Sequence, residues 1–340
     1  MIKGYYLTSQ RAVLESGSLL LEDCSVLELK DHWVWDCWLF DDGDDFHIFF
    51  LRASRALQDS DRRHFRASVG HAKSKDLTNW ELLPDALFAS DAPAWDEVAT
   101  WTGSVVKNEA DGLHYMFYTG VTRSRGGIVQ QVGYATSHDL ITWKKNSSNP
   151  VMRADAELYD TQENGSLDTN FRDPWVFYSD EDKKWHMYVT ADLKGGGIKT
   201  RATVAHATSS DLKSWSSERP LHGESGFGQV EVVQVEEIDG RWVMVFCVGE
   251  QHLNVVRPSF KSGTYSVPMD TKFGPIHFED ADIIDADGIY AGRIIKDRSG
   301  EWVLLGFENG HIKSEFKGRI CDPISLEMTS VGTLKVKASS

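Results

Sequence analysis

The stretch Trp185-His186-Met187-Tyr188-Val189 has four counterparts along the chain. Each contains a His or Trp followed by a short apolar, strand-like run, and most follow a turn-forming pair such as Asp-Gly or Ser-Gly. The counterparts are Phe46-His47-Ile48-Phe49-Phe50, Leu113-His114-Tyr115-Met116-Phe117, Arg241-Trp242-Val243-Met244-Val245 and Glu301-Trp302-Val303-Leu304-Leu305. They recur at intervals of roughly sixty residues, which is longer than the ~20–45 residues of a solenoid repeat.

A second repeated element follows the first three of these stretches and ends in Ser-x-Asp-Leu-x-x-Trp. Its copies end at Trp80, Trp143 and Trp215. The pattern predicts a strand, a tight turn capped by the Asp, and a further strand. The Trp is predicted to pack between sheets, so we interpret this element as structural.

Five copies of a four-stranded unit predict an all-β fold, a five-bladed β-propeller in which each blade is a four-stranded antiparallel sheet. No long apolar pattern of helical period competes with the strands. We expect blades to begin near residues 33, 100, 170, 229 and 288 of one domain that spans 1–340. The terminal segments would close the ring, with Thr333-Leu334-Lys335-Val336 as a candidate edge strand.

The charge, the cysteine content and the N-terminal segment of the chain exclude several classes of function. The formal net charge of −15 over 340 residues argues against nucleic acid and anionic membranes as partners and favours a neutral or cationic small ligand. Four scattered cysteines, Cys24, Cys37, Cys247 and Cys321, fit neither a zinc site nor a disulfide framework. The segment Met1-Ile2-Lys3-Gly4-Tyr5-Tyr6 lacks the apolar core of a signal peptide, so a cytoplasmic location is expected.

Three acids recur at a similar place in the repeat. Asp36, Asp173 and Glu231 each precede the strand-like stretch of their blade by about a dozen residues. We interpret them as equivalent positions on the innermost strands, so their carboxylates should converge on the propeller axis. Crowded like charges repel, so a convergence of acids indicates a functional site rather than a stabilising one.

The same offset in the other two blades falls on Trp101-Thr102-Gly103-Ser104 and Tyr290-Ala291-Gly292-Arg293. Both segments would offer aromatic and polar groups to the shared cavity. The predicted substrate-binding residues are Trp35, Trp101, Thr102, Ser104, Arg172 and Tyr290.

Cleavage of a furanoside uses a nucleophile, an acid/base and a group that stabilises the oxocarbenium-like transition state. Glu231 lies in an apolar setting that should raise its pKa, so we assign it as the acid/base. Asp36, flanked by aromatic residues, is predicted to be the nucleophile. Asp173, held ionised by Arg172, is predicted to stabilise the transition state.

These motifs resemble glycoside hydrolase clan J, which comprises family 32 (invertases, inulinases, levanases) and family 68 (levansucrases, inulosucrases). Arg172-Asp173-Pro174 matches the Arg-Asp-Pro motif of both families, and Trp35-Asp36-Cys37-Trp38 resembles the Trp-Asp-Ser-Trp nucleophile motif of family 68. Trp101-Thr102-Gly103-Ser104 is similar to their Trp-Ser-Gly-Ser segment. The run from Gly70 to Glu81 resembles a family 32 motif, and Glu231 falls where these families place the acid/base.

The resemblance covers nearly the whole chain and implies a retaining hydrolase of β-D-fructofuranosyl linkages, such as that of sucrose or short fructans. It also implies a covalent fructosyl-enzyme intermediate and a reaction without a metal or cofactor. The only partner that it implies is a small carbohydrate substrate.

The chain departs from the family pattern at several points. The family 32 motif Trp-Met-Asn-Asp-Pro-Asn-Gly is absent, and Leu51 replaces a Gln that contacts fructose. Val232 follows Glu231 where family 32 has Cys and family 68 has Arg. No C-terminal β-sandwich is expected after the fifth blade. These departures leave an unusual fructoside or another furanose open as the substrate.

Three other functions are compatible with the same residues. A fructosyltransferase would use the same three acids with a non-water acceptor, and product analysis at high sucrose would reveal it. An inverting hydrolase of arabinofuranosides or xylosides would separate its carboxyl groups by ~6.5–9.5 Å instead of ~5–5.5 Å. A non-catalytic sugar-binding propeller would bind its ligand without turnover.

Overall fold

Strands make up most of the chain that the computed structural model describes. The described residues are 27–124, 126–254, 261–286, 288–309 and 316–338. Cys24 and the segment from Met1 to Tyr6 lie outside them, as does most of the N-terminal segment that was expected to help close the ring. No helix within these ranges is long and apolar enough to cross a membrane.

The strands follow one another with short connections. In the first half of the chain they are β1 (Leu27–Glu28), β2 (His32–Asp41), β3 (Phe46–Ser54), β4 (Ser68–Ser74), β5 (Glu81–Leu87), β6 (Ala99–Asn108), β7 (Leu113–Ser124), β8 (Gly127–Ser137) and β9 (Lys144–Lys145). In the second half they are β10 (Phe171–Ser179), β11 (Lys184–Asp192), β12 (Ala202–Ser209), β13 (Ser216–Ser217), β14 (Glu231–Ile238), β15 (Arg241–Val248), β16 (Gly263–Met269), β17 (Asp282–Ile283), β18 (Ile289–Lys296), β19 (Trp302–Glu308), β20 (Arg319–Ile320), β21 (Ile324–Met328) and β22 (Leu334–Val336). Single turns of 3₁₀ helix cover Arg55–Leu57, Ser60–Phe65, Gln162–Asn164, Glu250–His252 and Phe278–Asp280.

These strands form five antiparallel sheets, one for each blade. Over the described ranges, four blades contain four strands each in sequential order, β2 to β5, β6 to β9, β10 to β13 and β14 to β17. The fifth sheet has six strands, because β1 from the start of the chain joins β18 to β22 from its end. The predicted five-bladed propeller of antiparallel sheets is confirmed.

The first strand of each blade faces the central channel. β2, β6, β10, β14 and β18 contact one another in that order, and β18 contacts β2 again, which closes the ring. Leu27 of β1 pairs with Ile320 of β20, so the two ends of the described chain meet in the fifth blade. β22 pairs with β21 at the outer side of this blade, where the candidate edge strand was predicted.

The Ser-x-Asp-Leu element forms the tight turn that its sequence predicts. The carboxylate of Asp76 accepts hydrogen bonds from the backbone N–H groups of Thr78 and Asn79, at 2.9 and 2.8 Å. The following Leu77 has a φ of 65° although its side chain is buried, and Leu140 and Leu212 repeat this at 61° and 64°. The Asp cap is therefore what holds a buried apolar residue in the left-handed region.

The Trp that ends this element packs between neighbouring blades, as expected. The Trp143 ring meets Phe49 of the preceding blade edge-on, with centroids 5.7 Å apart, and Trp215 meets Phe117 in the same way at 5.4 Å. Edge-to-face aromatic pairs of this kind favour a fixed orientation of the two rings relative to each other. They therefore set the angle between consecutive blades.

The pairing corrects the predicted register by one residue in three blades. In the first and third blades the marker histidines His47 and His186 hold equivalent positions on the second strand. In the second blade that position belongs to Tyr115, and His114 lies one residue earlier. By the same pairing, the counterparts in the fourth and fifth blades are the residues after Trp242 and Trp302. Since side chains alternate along a strand, a slip of one residue moves a side chain to the other face of the blade.

Candidate active site

A cavity of about 590 Å³ lies where the five innermost strands begin. Each strand contributes to its wall, and the contributing residues include Asp36, Thr102, Asp173, Glu231 and Tyr290. The three acids selected from the sequence therefore lie in one cavity at the end of the channel.

Every innermost strand carries a β-bulge beside this cavity. The first bulged residues are Asp36, Thr102, Asp173, Val232 and Ala291. Four of them have a positive φ: Asp36 (31°), Asp173 (59°), Val232 (56°) and Ala291 (51°). A bulge bends a strand and redirects its side chains, and such backbone values concentrate at functional sites. The bulges explain how adjacent residues of one strand can both line the cavity.

The prediction that the three acids are equivalent is wrong for one of them. Asp36 and Asp173 both occupy the bulge position, but Glu231 lies one residue earlier, in the last regular pair before the bulge. Trp35 and Arg172 hold that position in their own blades. The count from the repeat marker missed this because Trp242, the marker of the fourth blade, is itself one residue before the position equivalent to His47.

Asp36 is enclosed and hydrogen-bonded. The Thr102 hydroxyl donates to its Oδ2 at 2.8 Å. Burial, reinforced by the nearby Asp173 carboxylate, raises the pKa of Asp36 to about 7, and the Thr102 bond only partly opposes this rise. A carboxyl with such a pKa holds or releases its proton near neutrality.

Asp173 is held by its neighbours on three sides. Its Oδ2 accepts hydrogen bonds from the Thr190 hydroxyl and the Val232 backbone N–H, both at 3.3 Å, and lies 3.5 Å from Arg172 Nε. Burial raises the pKa of Asp173 to about 6 even though Arg172 lowers it. The expectation that Arg172 alone keeps this carboxyl firmly ionised is therefore wrong.

Arg172 is directed mainly at Glu231. Its Nη2 donates to Glu231 Oε1 at 2.6 Å and to Gln229 Oε1 at 2.5 Å. The Tyr290 hydroxyl donates to the other carboxylate oxygen, Oε2. Burial pushes the pKa of Glu231 up, but Arg172, Tyr290 and the nearby His252 outweigh burial, so its pKa lies below the ordinary value. The predicted raised pKa of Glu231 is wrong, because Arg172, Tyr290 and His252 stabilise its ionised form by more than burial opposes it.

Five of the six predicted substrate-binding residues line the cavity: Trp35, Trp101, Thr102, Arg172 and Tyr290. Ser104 does not line it. Its hydroxyl is buried between blades, where it donates to the Pro174 carbonyl at 2.7 Å and accepts from the Val176 N–H at 3.1 Å. The prediction for Ser104 is corrected to a structural link between the second and third blades.

The segment between β3 and β4 supplies two residues that the sequence reasoning missed, Arg63 and His64. Both line the cavity, and the Arg63 guanidinium lies 5.5 Å from the Trp35 ring centre. The His64 carbonyl accepts a hydrogen bond from Trp101 Nε1 at 2.7 Å, which fixes the predicted substrate-binding residue Trp101. The longer spacing between the two repeated elements in the first blade was the available signal of this insertion.

Amide and imidazole side chains complete the wall. Gln130, Asn170, Gln229 and His252 line the cavity. Gln130 Oε1 and Asn170 Oδ1 both accept from Arg172 Nη1, at 3.2 and 3.3 Å. They lie before their strands or in other elements, where the repeat gave no reason to select them.

The model of the glycosyl hydrolases family 32 N-terminal domain matches residues 38–337. The chain belongs to glycosyl hydrolase family 32. Its similarity to an insoluble β-fructofuranosidase of Arabidopsis thaliana is 34% identity over 169 residues, covering 47% of this chain and 25% of that protein. A levanase of Bacillus subtilis is 33% identical over 226 residues, which covers 60% of this chain and 28% of the levanase.

Solved structures of this family share the fold. A variant of the Bombyx mori family 32 β-fructofuranosidase in complex with sucrose aligns with a TM-score of 0.66 at 17% identity. The alignment covers 89% of this family 32 chain and 64% of the silkworm protein. The chain spans only about a quarter of the length of the curated relatives named above. Its activity on a given sugar is therefore a matter of proposal.

Proposed function

We propose that this family 32 chain is a retaining hydrolase of β-D-fructofuranosyl linkages in sucrose, short fructans or a related fructoside. The observation that carries the proposal is the convergence of Asp36, Asp173 and Glu231 in one cavity, with Arg172 between the last two. The relatives named as β-fructofuranosidase and levanase support the choice of sugar.

In the proposed first step, an Asp36 oxygen attacks the anomeric carbon of the fructosyl group. The bond from that carbon to the leaving oxygen breaks, and Glu231 gives this oxygen its proton. In the second step Glu231, now ionised, takes a proton from water. The water oxygen then displaces Asp36 from the anomeric carbon, which releases fructose and regenerates both carboxyl groups.

Asp173 and Arg172 would act on the sugar without forming a bond to it. Asp173 is held at the bulge by Thr190 and Val232, so its free carboxylate oxygen is fixed relative to the attacking Asp36. A fixed carboxylate stabilises the positive charge that develops on the ring in the transition state. We therefore assign Asp173 as the stabilising residue.

The test measures sugar release from sucrose and short fructans by the wild type and by Asp36→Asn, Asp173→Asn and Glu231→Gln. Each substitution should lower kcat by at least about a thousandfold, since each removes a group that acts only in the reaction. Asp91→Asn is the matched control, because Asp91 is exposed and does not line the cavity. Wild-type activity in all three variants would refute the assignment of the site.

The stereochemistry of the first product separates retention from inversion. NMR of the fructose formed in the first seconds should show the β anomer before it equilibrates. Initial release of the α anomer would refute the covalent intermediate. Failure of the wild type to release fructose from any fructoside, with release of another furanose, would replace the substrate while keeping the site.

A further inference from the structure

A second cavity opens where the innermost strands end. It consists of two adjoining hollows of about 420 and 300 Å³, which share Trp175, Glu236, Lys296 and Trp302 in their walls. We call this the lower cavity. Its walls include residues from the far ends of β2, β10, β14 and β18, opposite the ends that carry the acids.

The strand register separates the two cavities. On β14, Glu231 lines the active-site cavity and Glu236 lines the lower one. On β18, Tyr290 and Lys296 divide in the same way. Five residues of strand separate Glu231 from Glu236 and span about 17 Å, and none of the three acids lines the lower cavity.

Aromatic rings and charged groups are combined in the lower cavity. Lys296 Nζ lies 5.3 Å from the centre of the Trp302 ring, and the Arg293 guanidinium carbon lies 5.3 Å from the centre of the Trp175 ring. Small-molecule sites typically pair such apolar faces with a few convergent polar groups. Sugars suit this combination because a ring has apolar C–H faces and a polar edge.

Several donors in this region lack an acceptor. Arg293 is only 1% exposed and donates from Nη1 to the Val233 carbonyl at 2.6 Å. Its Nε and Nη2, and Nε1 of Trp175, have no hydrogen-bond partner within the described chain. Each of these three atoms is enclosed by the protein, so none is reached from the lower cavity, and the polar groups open to a ligand lie elsewhere in its wall.

Glu236 offers a polar group in the wall of both hollows. Gln234 Nε2 donates to its Oε1 at 3.0 Å, and its other oxygen makes no hydrogen bond to the residues that the structure describes. Burial raises the pKa of Glu236 to about 7, because its effect outweighs those of Gln234 and Lys296, which lower the pKa. Near neutrality this carboxyl can therefore accept or donate a hydrogen bond, as sugar hydroxyl groups require.

The charges of the lower cavity are nearly balanced. Lys272 is already paired with Glu181 at 3.1 Å, and Asp41 is paired with Arg298 at 2.6 Å. Arg293 and Lys296 remain, facing Glu236 and Glu237. A balanced wall favours a neutral ligand over an anion.

We propose that the lower cavity is a second carbohydrate-binding site, which holds one neutral sugar unit. The sugar ring would stack on Trp302, with its hydroxyl groups bonding to Glu236 and accepting from Lys296, since all three residues line both hollows. This site is independent of the proposed hydrolysis, because it neither includes nor touches the three acids.

Isothermal titration of the Asp36→Asn protein with sucrose tests the proposal, because that protein should bind the sugar without consuming it. We expect two binding events per chain. In parallel NMR spectra, the indole N–H signals of Trp175 and Trp302 should shift with the second event. Single-site binding of both sucrose and a short fructan, with both indole signals unmoved, would overturn the proposal.

Variants assign the second event to the lower cavity. Trp302→Ala or Glu236→Ala, each in the Asp36→Asn background, should weaken that event at least tenfold and leave the other unchanged. Lys296→Ala gives the same test if either variant fails to fold. Lys107→Ala is the matched control, since Lys107 is the last residue but one of the innermost strand of the second blade and does not line this cavity. Retention of the second event in all lower-cavity variants would refute the site, whereas sugar release by the wild type tests hydrolysis separately.

Discussion

At the scale of single residues, one cation is shared among crowded acids. Arg172 bonds Glu231 at 2.6 Å and lies 3.5 Å from Asp173, so its charge favours ionised Glu231 most. The protons of the free site therefore sit on Asp36 and Asp173. The proposed reaction needs the opposite arrangement, with the proton on Glu231 and Asp36 ionised, so the reactive form is a minor one among the singly protonated states.

This arrangement predicts a narrow pH profile. The profile of kcat/KM should reach its maximum between about pH 6 and 7, because Asp173 gains a proton below its pKa of about 6 and Asp36 loses the last shared proton above about 7. Tyr290→Phe removes a donor that stabilises ionised Glu231. Glu231 should then hold its proton more firmly, and the alkaline limb should move to higher pH.

Tyr118→Phe is the control for this prediction, because it removes another buried phenol, which donates to the Asp96 carboxylate at 3.0 Å away from the cavity. Its profile should match that of the wild type. A shift of the alkaline limb to lower pH in Tyr290→Phe would contradict the role given to Tyr290. The measurement is initial rate at low sucrose across the pH range.

The same electrostatics predict opposite effects of two inactivating substitutions on stability. The folded state raises the pKa of Asp36 from 3.8 to about 7, so ionised Asp36 destabilises the fold increasingly as the pH rises from about 4 to 7. Asp36→Asn should therefore raise Tm by about 2–6 °C at pH 8 and have little effect near pH 4.

Glu231→Gln should lower Tm at pH 8, because the lowered pKa of Glu231 reflects favourable contacts that exist only while it is ionised. This loss should fade as the pH falls through the folded-state pKa of Glu231. Thermal melts at pH 4 and 8, with Asp91→Asn as the neutral reference, measure both effects. A common sign for the two variants at pH 8 would contradict the charge distribution described above.

At the scale of the strand, the bulge of the second blade depends on a glycine. A Cβ on Gly103 would lie 1.9 Å from the Phe117 carbonyl oxygen, a clash with backbone that a side-chain rotation cannot relieve. Gly103→Ala should therefore lower Tm and displace the adjacent Thr102, which holds Asp36. We expect kcat/KM to fall at least about tenfold, since small displacements of reacting groups are costly.

Gly223→Ala serves as the control for this substitution, because a Cβ there would meet nothing within 4 Å. Melting curves and sucrose hydrolysis should be unchanged in Gly223→Ala. Equal behaviour of the two variants would show that the bulge tolerates a side chain at Gly103.

The strands were predictable from the sequence because their chemistry is local. The Asp76 turn and the Trp143 contact follow from short motifs that repeat in successive blades. The bulges were not predictable, because a bulge is a property of two paired strands and leaves no composition signal in either. This is why Ser104, which follows the bulge, was wrongly assigned to the cavity. Glu231 was placed one residue out of register because the marker Trp242 is itself one residue early.

At the scale of the whole molecule, the repeat was sufficient to predict the ring and the convergence of its acids. The repeat was not sufficient to predict the pKa values, because they depend on which side chains meet across blades, as Arg172 and Glu231 do. His64 and Arg63 were missed for a related reason, since they lie in a segment that has no counterpart in the other blades.

The net charge of −15 predicts how ionic strength affects the choice of substrate. A neutral sugar should be insensitive to the field of the protein, so kcat/KM for sucrose should vary less than about twofold between low salt and about 0.5 M NaCl. A phosphorylated fructoside should be hydrolysed faster as salt screens its repulsion. A tenfold salt effect on sucrose would contradict a neutral substrate.

The repeated bulge gives the ring five equivalent positions, one on each innermost strand. The regular pairing of the strands does not constrain the side chain at a bulge. The residue type can therefore change there while the strands on either side keep their pairing. Three of the bulge residues are polar, namely Asp36, Thr102 and Asp173, whereas the other two, Val232 and Ala291, are apolar. Of these two, Val232 lines the cavity, so this is the position where a new side chain could be placed against the sugar without redesigning the blades.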